Sequence, residues 1–598
     1  MKTKRRFLTI FLMLSCILYA CLSCQSGLRK DEKVYKARQQ SPEELEMLQM
    51  KALEDLFFSM KKIRPVPVTA DFGNYLAATV AKDNNDYASA ATYYQSAYNQ
   101  DKENTELLEN LFLTSVLSGQ IETAVESSIE LKKRQDKKIS EFLIDLLLIS
   151  NEVRQEKWTE ALFTHLKSKK DEIPILDSVI YAWISAGMNN EKEALGALDT
   201  LQNADEAQSF IYWLHRALIL DYLGKPAAAE QAFDRLLMYP SVRSLWTVSL
   251  MYQFYERNGL LIRKVDFLKV YQQTLSESFL ARDILLSNSK NERVDSPKKA
   301  LSLIFFDLSS SFTEDSPDTA LMLVRLSEWL NPDSSLLKFY IGGILEQMGQ
   351  WKEANKLYDS VPMGSNIYMS LQLKKSMNLI DNGQAAGAVK TLHLLNENYP
   401  NIPLINMTLG NAYLKAKRYK EAIESYKKTI SLLPYRDASV GLLYFSKAIS
   451  YHALEDDLNA ENALKNALAL DSENPTILNY LGYMWLEDGK NIDQAFGLIK
   501  KASEYLPNDG AILDSLGYAY LLKGDYNSSL KVLQKAISKL PQDPFVNSHL
   551  GDVYWQMGRK REARFQWNHA LDLTGEDTQD LKDSLMKKIS NGLSFNNK

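Results

Sequence analysis

Histidine, cysteine and paired carboxylates are the side chains through which this chain could do metal or covalent chemistry, and their spacing assembles no catalytic set. The six histidines, His165, His215, His393, His452, His549 and His569, are scattered singly. None belongs to an H-E-x-x-H pair, whose imidazoles sit one helical turn apart and can share a zinc ion. His549 and Asp552 stand three apart and could share a site on one helix, although such a pair is ordinarily solvated. Asp456 and Asp457 follow His452 in a turn, the usual place for solvated charge. No G-x-S-x-G nucleophile elbow and no G-x-x-x-x-G-K-[ST] phosphate loop occurs. All three cysteines, Cys16, Cys21 and Cys24, lie in the first 24 residues, so the rest of the chain has no thiol nucleophile, disulfide or thiolate metal site. The expectation is no enzyme, no metal, no cofactor and no small-molecule substrate.

The one covalent reaction the sequence suggests falls at Cys21. Residues 1–6 are basic, and residues 7–23 form an uncharged, mostly apolar run, the pattern of an export signal. Ile17-Leu18-Tyr19-Ala20-Cys21 resembles a bacterial lipobox, with Leu18 three residues before the cysteine and small Ala20 directly before it. The resemblance implies cleavage and lipidation at Cys21; Cys24 is a weaker second candidate. An uncleaved signal anchor and ordinary cleavage with release are the other two outcomes. All three place the chain from residue 25 onward outside the cytoplasm, because the positive cluster stays inside. The expected location is the periplasmic side of a bacterial envelope, membrane-anchored, with an outer-membrane lipoprotein as the expected form.

Composition sets the remaining classes. Hydrophobic residues make up 45% and charged residues 24% of the 598, values of an ordinary folded protein. That length exceeds one globular core unless the core grows along an axis. The formal net charge is −5, and loss of Lys2, Lys4, Arg5 and Arg6 with a leader makes the remainder more acidic. An acidic surface repels nucleic acid, which is excluded as a partner.

The elements that carry all this recur. Leu550-Gly551, Tyr554, Ala563, Trp567 and Ala570 repeat the offsets of Leu516-Gly517, Tyr520, Ser529, Leu533 and Ala536, and before them Leu481-Gly482, Trp485, Ala495, Ile499 and Ala502. Gly551 follows Gly517 by 34 residues and Gly517 follows Gly482 by 35, a helix–turn–helix period. Glycine lets a partner helix approach closely, and Pro507 or Pro541 ends the second helix. This pattern resembles the tetratricopeptide repeat (TPR). The resemblance implies an all-α, right-handed superhelical TPR solenoid of about 14 helix–turn–helix units with N- and C-terminal capping helices. The expected organisation is a signal peptide at 1–20, a tether at 21–40, a capping helix and Pro-rich break at 41–71, and a degenerate array at 72–286. A linker at 287–299, an array at 300–574, and a C-terminal capping helix and tail at 575–598 complete it. The first capping helix, about 41–62, opens on Ser41-Pro42-Glu43-Glu44, carries Met47, Leu48, Leu53, Leu56, Phe57 and Met60, and is expected to pack on the first repeat. Residues 245–275 read as helical but out of register, so an unrecognised enzymatic domain, ranked last, could only sit in 245–299.

In TPR solenoids the first helix of each unit lines the inner groove. Carried over onto this sequence, the resemblance implies groove residues Asn411, Asn479, Tyr483, Asp514, Tyr518, Ser548, Asp552 and Trp555. Tyr and Trp beside Asp and Asn suit a protein or extended peptide, because aromatics bring contact area with few rotors to freeze. The Lys/Asn clamp of chaperone-binding TPR domains is missing, since Asp514 and Asp552 would repel a terminal carboxylate. Residues 547–567 and 512–518 resemble long exported TPR proteins of alphaproteobacteria. The expected function is a non-enzymatic envelope scaffold binding a protein or peptide, with an accessory subunit of an envelope polysaccharide or peptidoglycan enzyme as the alternative.

Overall fold

The computed structural model describes residues 72–168, 174–202, 206–239, 245–277, 293–310, 312–313, 316–434, 437–489, 491–575 and 578–593. The leader, Cys21, the tether, the capping helix and break at 41–71, and the first part of the expected linker, 287–292, lie outside them. The described residues hold 29 α-helices and no strand. Two compact units divide the chain after Lys375.

The first unit runs α1 (Phe72–Asp83), α2 (Tyr87–Gln100), α3 (Thr105–Ser118), α4 (Ile121–Leu131), α5 (Glu141–Arg154), α6 (Trp158–Lys167), α7 (Pro174–Gly187), α8 (Glu191–Gly196), α9 (Glu206–Tyr222) and α10 (Pro226–Leu236). It continues through α11 (Leu245–Arg257), α12 (Leu261–Glu277), α13 (Pro297–Ser310), α14 (Pro317–Leu330), α15 (Ser335–Gln347) and α16 (Trp351–Asp359). Helix α17 (Tyr368–Asp381) crosses the division. The second unit runs α18 (Ala385–Asn398), α19 (Pro403–Lys415), α20 (Tyr419–Leu432), α21 (Ala438–Ala453), α22 (Asp457–Leu470), α23 (Pro475–Glu487) and α24 (Ile492–Tyr505). After them come α25 (Gly510–Leu522), α26 (Tyr526–Lys539), α27 (Pro544–Gln556), α28 (Lys560–Asp572) and α29 (Gln579–Asn591). Within each unit odd helices pack on the even helices that follow them, as α13 does on α14 and α25 on α26, and successive pairs touch, as α26 and α27 do.

Two local devices make the pairs. The chain reverses inside a pair through a left-handed residue, glycine at Gly524 (φ 78°) and Gly558 (φ 76°) but Lys417 (φ 60°) and Glu455 (φ 66°) elsewhere. This conformation ends one helix and aims the next back along it. The second device is the close crossing read from the sequence. A Cβ on Gly551 would lie 2.5 Å from the Trp567 ring, and one on Gly517 2.5 Å from Leu533 Cγ. The glycine is the hole for the large side chain of its partner helix.

The first unit closes on itself. Helices α13 and α14 pack on α3, α5 and α7 rather than only on their chain neighbours. In one continuous cluster, Leu113, Leu146, Val179 and Trp183 share a core with Leu301, Ile304, Phe305, Leu321 and Val324. Polar contacts fasten the closure: Tyr87 Oη donates to Asp318 at 2.6 Å, Trp329 Nε1 to Glu122 at 3.0 Å, and Gln350 to the Asn84 carbonyl at 2.7 Å. Arg154 lies 4.6 Å over the Trp329 ring. Consequently every residue of α3 from Thr105 to Leu117 is buried, including Glu109, whose carboxylate accepts from the Ile139 amide at 2.8 Å. A helix buried on all sides carries apolar residues on all sides, as α3 does with Leu107, Leu108, Leu111, Phe112, Leu113 and Val116, its buried polar groups lying between them.

The stretch expected to be out of register, as far as it is described, is the pair α11–α12, turning at Gly259 (φ 67°) and burying Trp246, Phe254, Tyr255 and Phe267. The described end of the segment 287–299 is held against α9 and α11. Arg293 pairs with Asp221 at 3.3 Å beside Arg257 at 2.9 Å, Val294 is buried, and Pro297 already opens α13. The signal was a buried aspartate, Asp221, in need of a cation.

Substituting Gly551 by Val should destabilise the second unit by about 1–3 kcal/mol through overpacking on Trp567, read as a lower denaturation midpoint. Gly497→Ala, on α24 with open space around its Cβ position, should be neutral or stabilising by up to about 1 kcal/mol. Equal effects at the two glycines would refute the close-crossing argument. A second outcome concerns His215, fully enclosed, whose Nδ1 accepts from Trp183 Nε1 at 2.9 Å. Burial lowers its pKa from 6.5 to about 3. The unfolded state therefore takes up a proton that the folded state refuses between those values, and stability is lost as pH falls through this window, by up to about 1.4 kcal/mol per pH unit. His215→Gln keeps an acceptor for Trp183 and should flatten the dependence of melting temperature on pH between 6.5 and 4; an unchanged slope would assign it to other groups.

Candidate functional site: the inner face of the second unit

The first helices of the pairs α23–α24, α25–α26 and α27–α28 begin at defined residues. Asn474, Asp509 and Asp543 cap α23, α25 and α27, each side chain accepting from two backbone amides, at 2.9 and 2.9 Å for Asp509. Pro475 and Pro544 take the first helical position, where no amide is needed. These starts fix which side chains stand ten and six residues before the left-handed turn: Asn479 and Tyr483, Asp514 and Tyr518, Ser548 and Asp552.

The structure brings six of the expected groove residues, together with His549, into two clusters at the seams between helices. In the first, Asp514 is fully buried and sits 2.9 Å from His549 Nδ1. The half-buried Tyr518 stacks on the His549 ring at 4.4 Å, and Tyr483, buried, lies 6.0 Å from Tyr518. His549 and Asp552, which stand three apart and could have shared a site, do not, and neither is simply solvated. The two point to different neighbours, because one position further around the helix faces the preceding pair and not the inner face. The signal for Asp514–His549 was their separation of 35, one repeat plus one residue.

In the second cluster the terminal helix α29 reaches across the last pair. Lys588 Nζ donates to Asp552 at 2.7 Å and to Ser548 at 3.1 Å, while Trp567 Nε1 donates to the other Asp552 oxygen at 2.9 Å. Burial pushes the Asp552 carboxyl above the usual range, and Lys588 and Trp567 oppose that rise. Trp555, half-buried, lies 5.3 Å from Trp567 and against Gly592, where a Cβ would come within 2.1 Å of its ring. Ser548, Asp552 and Trp555 are thus contacts of α29. The stripe Leu581, Leu585 and Ile589 announced that helix; nothing in the spacing announced Lys588.

Two expected residues stay apart from both clusters. Asn411, half-buried, accepts from Tyr426 Oη at 2.9 Å. Asn479 is buried, and its side-chain oxygen meets no donor. Asp456 caps α22, and Asp457 lies 3.3 Å from His452. Among the described residues no group of His, Cys, Asp or Glu is arranged to hold a metal ion, and no helix is long and apolar enough to cross a membrane. What the inner face offers a partner is the half-buried edge of Tyr518, Trp555 and Asn411 beside the paired groups Asp514–His549 and Asp552–Lys588.

The equivalent positions of the first unit are different in kind. Ten and six residues before the turns at Gly119, Glu156 and Asn189 stand Glu109 and Leu113, Leu146 and Ser150, Val179 and Trp183, all buried. They lie on the helices that α13 and α14 pack against, and Glu109 is spent on the amide of Ile139.

Replacing Lys588 by Met should leave the Asp552 carboxylate short of its cation and cost about 3 kcal/mol, with faster amide exchange through α29. The double variant D552N/K588M should recover part of the loss. A cost below about 0.5 kcal/mol would show that apolar packing alone holds the terminal helix.

Known proteins share this frame. A tetratricopeptide-repeat family model matches residues 403–436, which span α19 and α20, and a TPR-repeat model matches residues 517–558. A TPR repeat-containing protein of Pseudomonas aeruginosa is 26% identical over 215 residues, 36% of this chain, and the chain spans 35% of that protein's length. Lipopolysaccharide assembly protein B of Escherichia coli K12 is 24% identical over 291 residues, 43% of this chain and 73% of the relative. Among solved structures, the hetero-tetramer of the APC/C proteins Cut9 and Hcn1 is similar at 14% identity and a TM-score of 0.35, over 91% of this chain and 99% of that one. The matched windows fall on the helix–turn–helix frame that recurs through both units, and the chain is a tetratricopeptide-repeat protein.

Proposed function

We propose that the chain is a non-enzymatic scaffold of the bacterial envelope that holds a protein partner, as a folded subunit or an extended peptide, on the inner face of its second unit. The observation that carries this reading is the contrast between the two inner faces. In the first, all six residues at this register are buried in a unit whose core α13 and α14 complete, while the second leaves Tyr518 half-buried, with Asn411 and Trp555 as further half-buried edges. A rigid row of Tyr and Trp edges set among fixed dipoles suits a polypeptide, which offers amides and side chains along its length.

The compartment in this proposal is the periplasmic side of the envelope, reached through the leader and held by lipid on Cys21, in the outer membrane. Its support is the basic and apolar order of residues 1–23 and the lipobox-like 17–21. A second reading, an accessory subunit of an enzyme that builds an envelope polysaccharide or peptidoglycan, draws support from the Escherichia coli relative named for lipopolysaccharide assembly.

A photo-crosslinking residue at Tyr518, with a control at the exposed Lys531 on α26, tests the scaffold reading in cells. A defined protein adduct at position 518 and none at 531 is the expected result, and its mass identifies the partner. If that adduct is a glycan-building enzyme whose activity falls on deletion of this chain, the second reading replaces the first. No adduct at 518 would remove the second unit's inner face as the binding surface.

A further inference from the structure

Eight places before the left-handed turn, α19, α23, α25 and α27 each carry a buried leucine, Leu409, Leu481, Leu516 and Leu550. On α21 the same place holds Lys447. Its side chain is half-buried, with Nζ 5.0 Å from the centre of the Tyr444 ring and 5.9 Å from that of Tyr451. The rings favour a cation, yet Lys447 makes no hydrogen bond or ion pair among the described residues. Burial and the Lys427 ammonium on α20 hold its pKa below the ordinary lysine value, and Glu424 opposes them. Glu424 is itself paired with Lys427, at 2.7 Å.

The chain shows elsewhere what a lysine at this register requires. Eight places before the turn at Gly383, Lys375 on α17 meets Asp359 on α16, the second helix of the preceding pair, at 2.6 and 2.8 Å. Asp359 stands ten residues after the turn at Gly349, and ten residues after the turn at Lys417 stands Lys427. The two seams are alike in register and opposite in charge. One is closed by a carboxylate of the chain; the other sets two ammonium groups beside two tyrosine rings.

We infer that the α20–α21 seam is a second contact site, which takes an aspartate or glutamate side chain of a protein partner between Lys447 and Lys427. The partner supplies the carboxylate that Asp359 supplies to Lys375 within the chain. Lys427 is half-exposed, so the pair is within reach from solvent. Tyr444 and Tyr451 reduce the water around a carboxylate held there, which strengthens its attraction to both amines. The inference rests on the chain being a holder of protein partners but not on the inner face, because Lys447 faces α20 and stands at neither register of Tyr518 and Asp514.

The test is brief acetylation of the full-length chain at neutral pH, with labelling of each lysine read by mass spectrometry. It is run with a capped three-glutamate peptide, its three-glutamine counterpart or inorganic phosphate, at matched ionic strength. The glutamate peptide, at a concentration on the order of 10 mM, should slow labelling of Lys447 at least about twofold and leave Lys531 unchanged. The glutamine peptide should do neither. No protection, equal protection by the glutamine peptide, equal protection at Lys531, or protection by phosphate that matches or exceeds that by the glutamate peptide overturns the proposal. Lys427→Asp gives an independent readout, since it rebuilds the Lys375–Asp359 arrangement at this seam. It should slow labelling of Lys447 without any peptide and remove the response to the glutamate peptide; unchanged labelling or an unchanged response overturns the proposal as well. Neither result depends on an adduct at Tyr518, so this site and the inner face fail separately.

Discussion

Every helix pair in this chain carries an apolar face that its own two helices cannot cover, and the covering of that face organises everything else. Within a pair, close approach is possible because glycine stands where the partner's largest side chain arrives, as Trp567 does at Gly551. Within a unit, part of that face passes to the next pair, so burial follows the stack and has no single centre. An array of this kind has two ends and an inner face as its points of vulnerability. The second unit closes one end with α29, and it does so with a buried Lys588–Asp552 pair as well as with leucine.

The inner faces of the two units solve one geometric problem with opposite chemistry. Glu109, Leu113, Leu146, Ser150, Val179 and Trp183 are buried in the first, where α13 and α14 occupy the concavity as a ligand would. At the same register the second unit places Asn479, Tyr483, Asp514, Tyr518, Ser548 and Asp552, and gives its acids specific partners, His549 for Asp514 and Lys588 for Asp552. A buried carboxylate without such a partner would be costly, so these pairings hold the helices at fixed spacing. Only side-chain edges remain for recognition.

Helix pairing was legible because it depends on residues at fixed offsets within one repeat. Gly517, Gly551, Ala563 and Trp567 state their roles by spacing alone. The closure of the first unit was not legible in that way, since no offset links Tyr87 to Asp318. A weaker sign was present: α3 carries leucine, phenylalanine and valine on every side, where a groove-lining helix keeps one polar stripe. The candidate groove residues were located by register but not by environment. Register says which way a side chain leaves its helix, whereas its burial depends on the neighbour, and for Ser548, Asp552 and Trp555 that neighbour is α29.

The closure of the first unit also dictates an order of events when the chain is made. Tyr87 meets Asp318 across 231 residues and Trp329 meets Glu122 across 207, so the concavity formed by α3, α5 and α7 stays open until α14 has been synthesised. Until then a long apolar trough faces the surroundings, the situation in which nascent chains aggregate or recruit chaperones. Contacts of such sequence separation also form slowly, because loop entropy is spent before they return any stability. The first unit is thus a late-completing body built from early-emerging helices, and its maturation is limited by the arrival of a single helix pair.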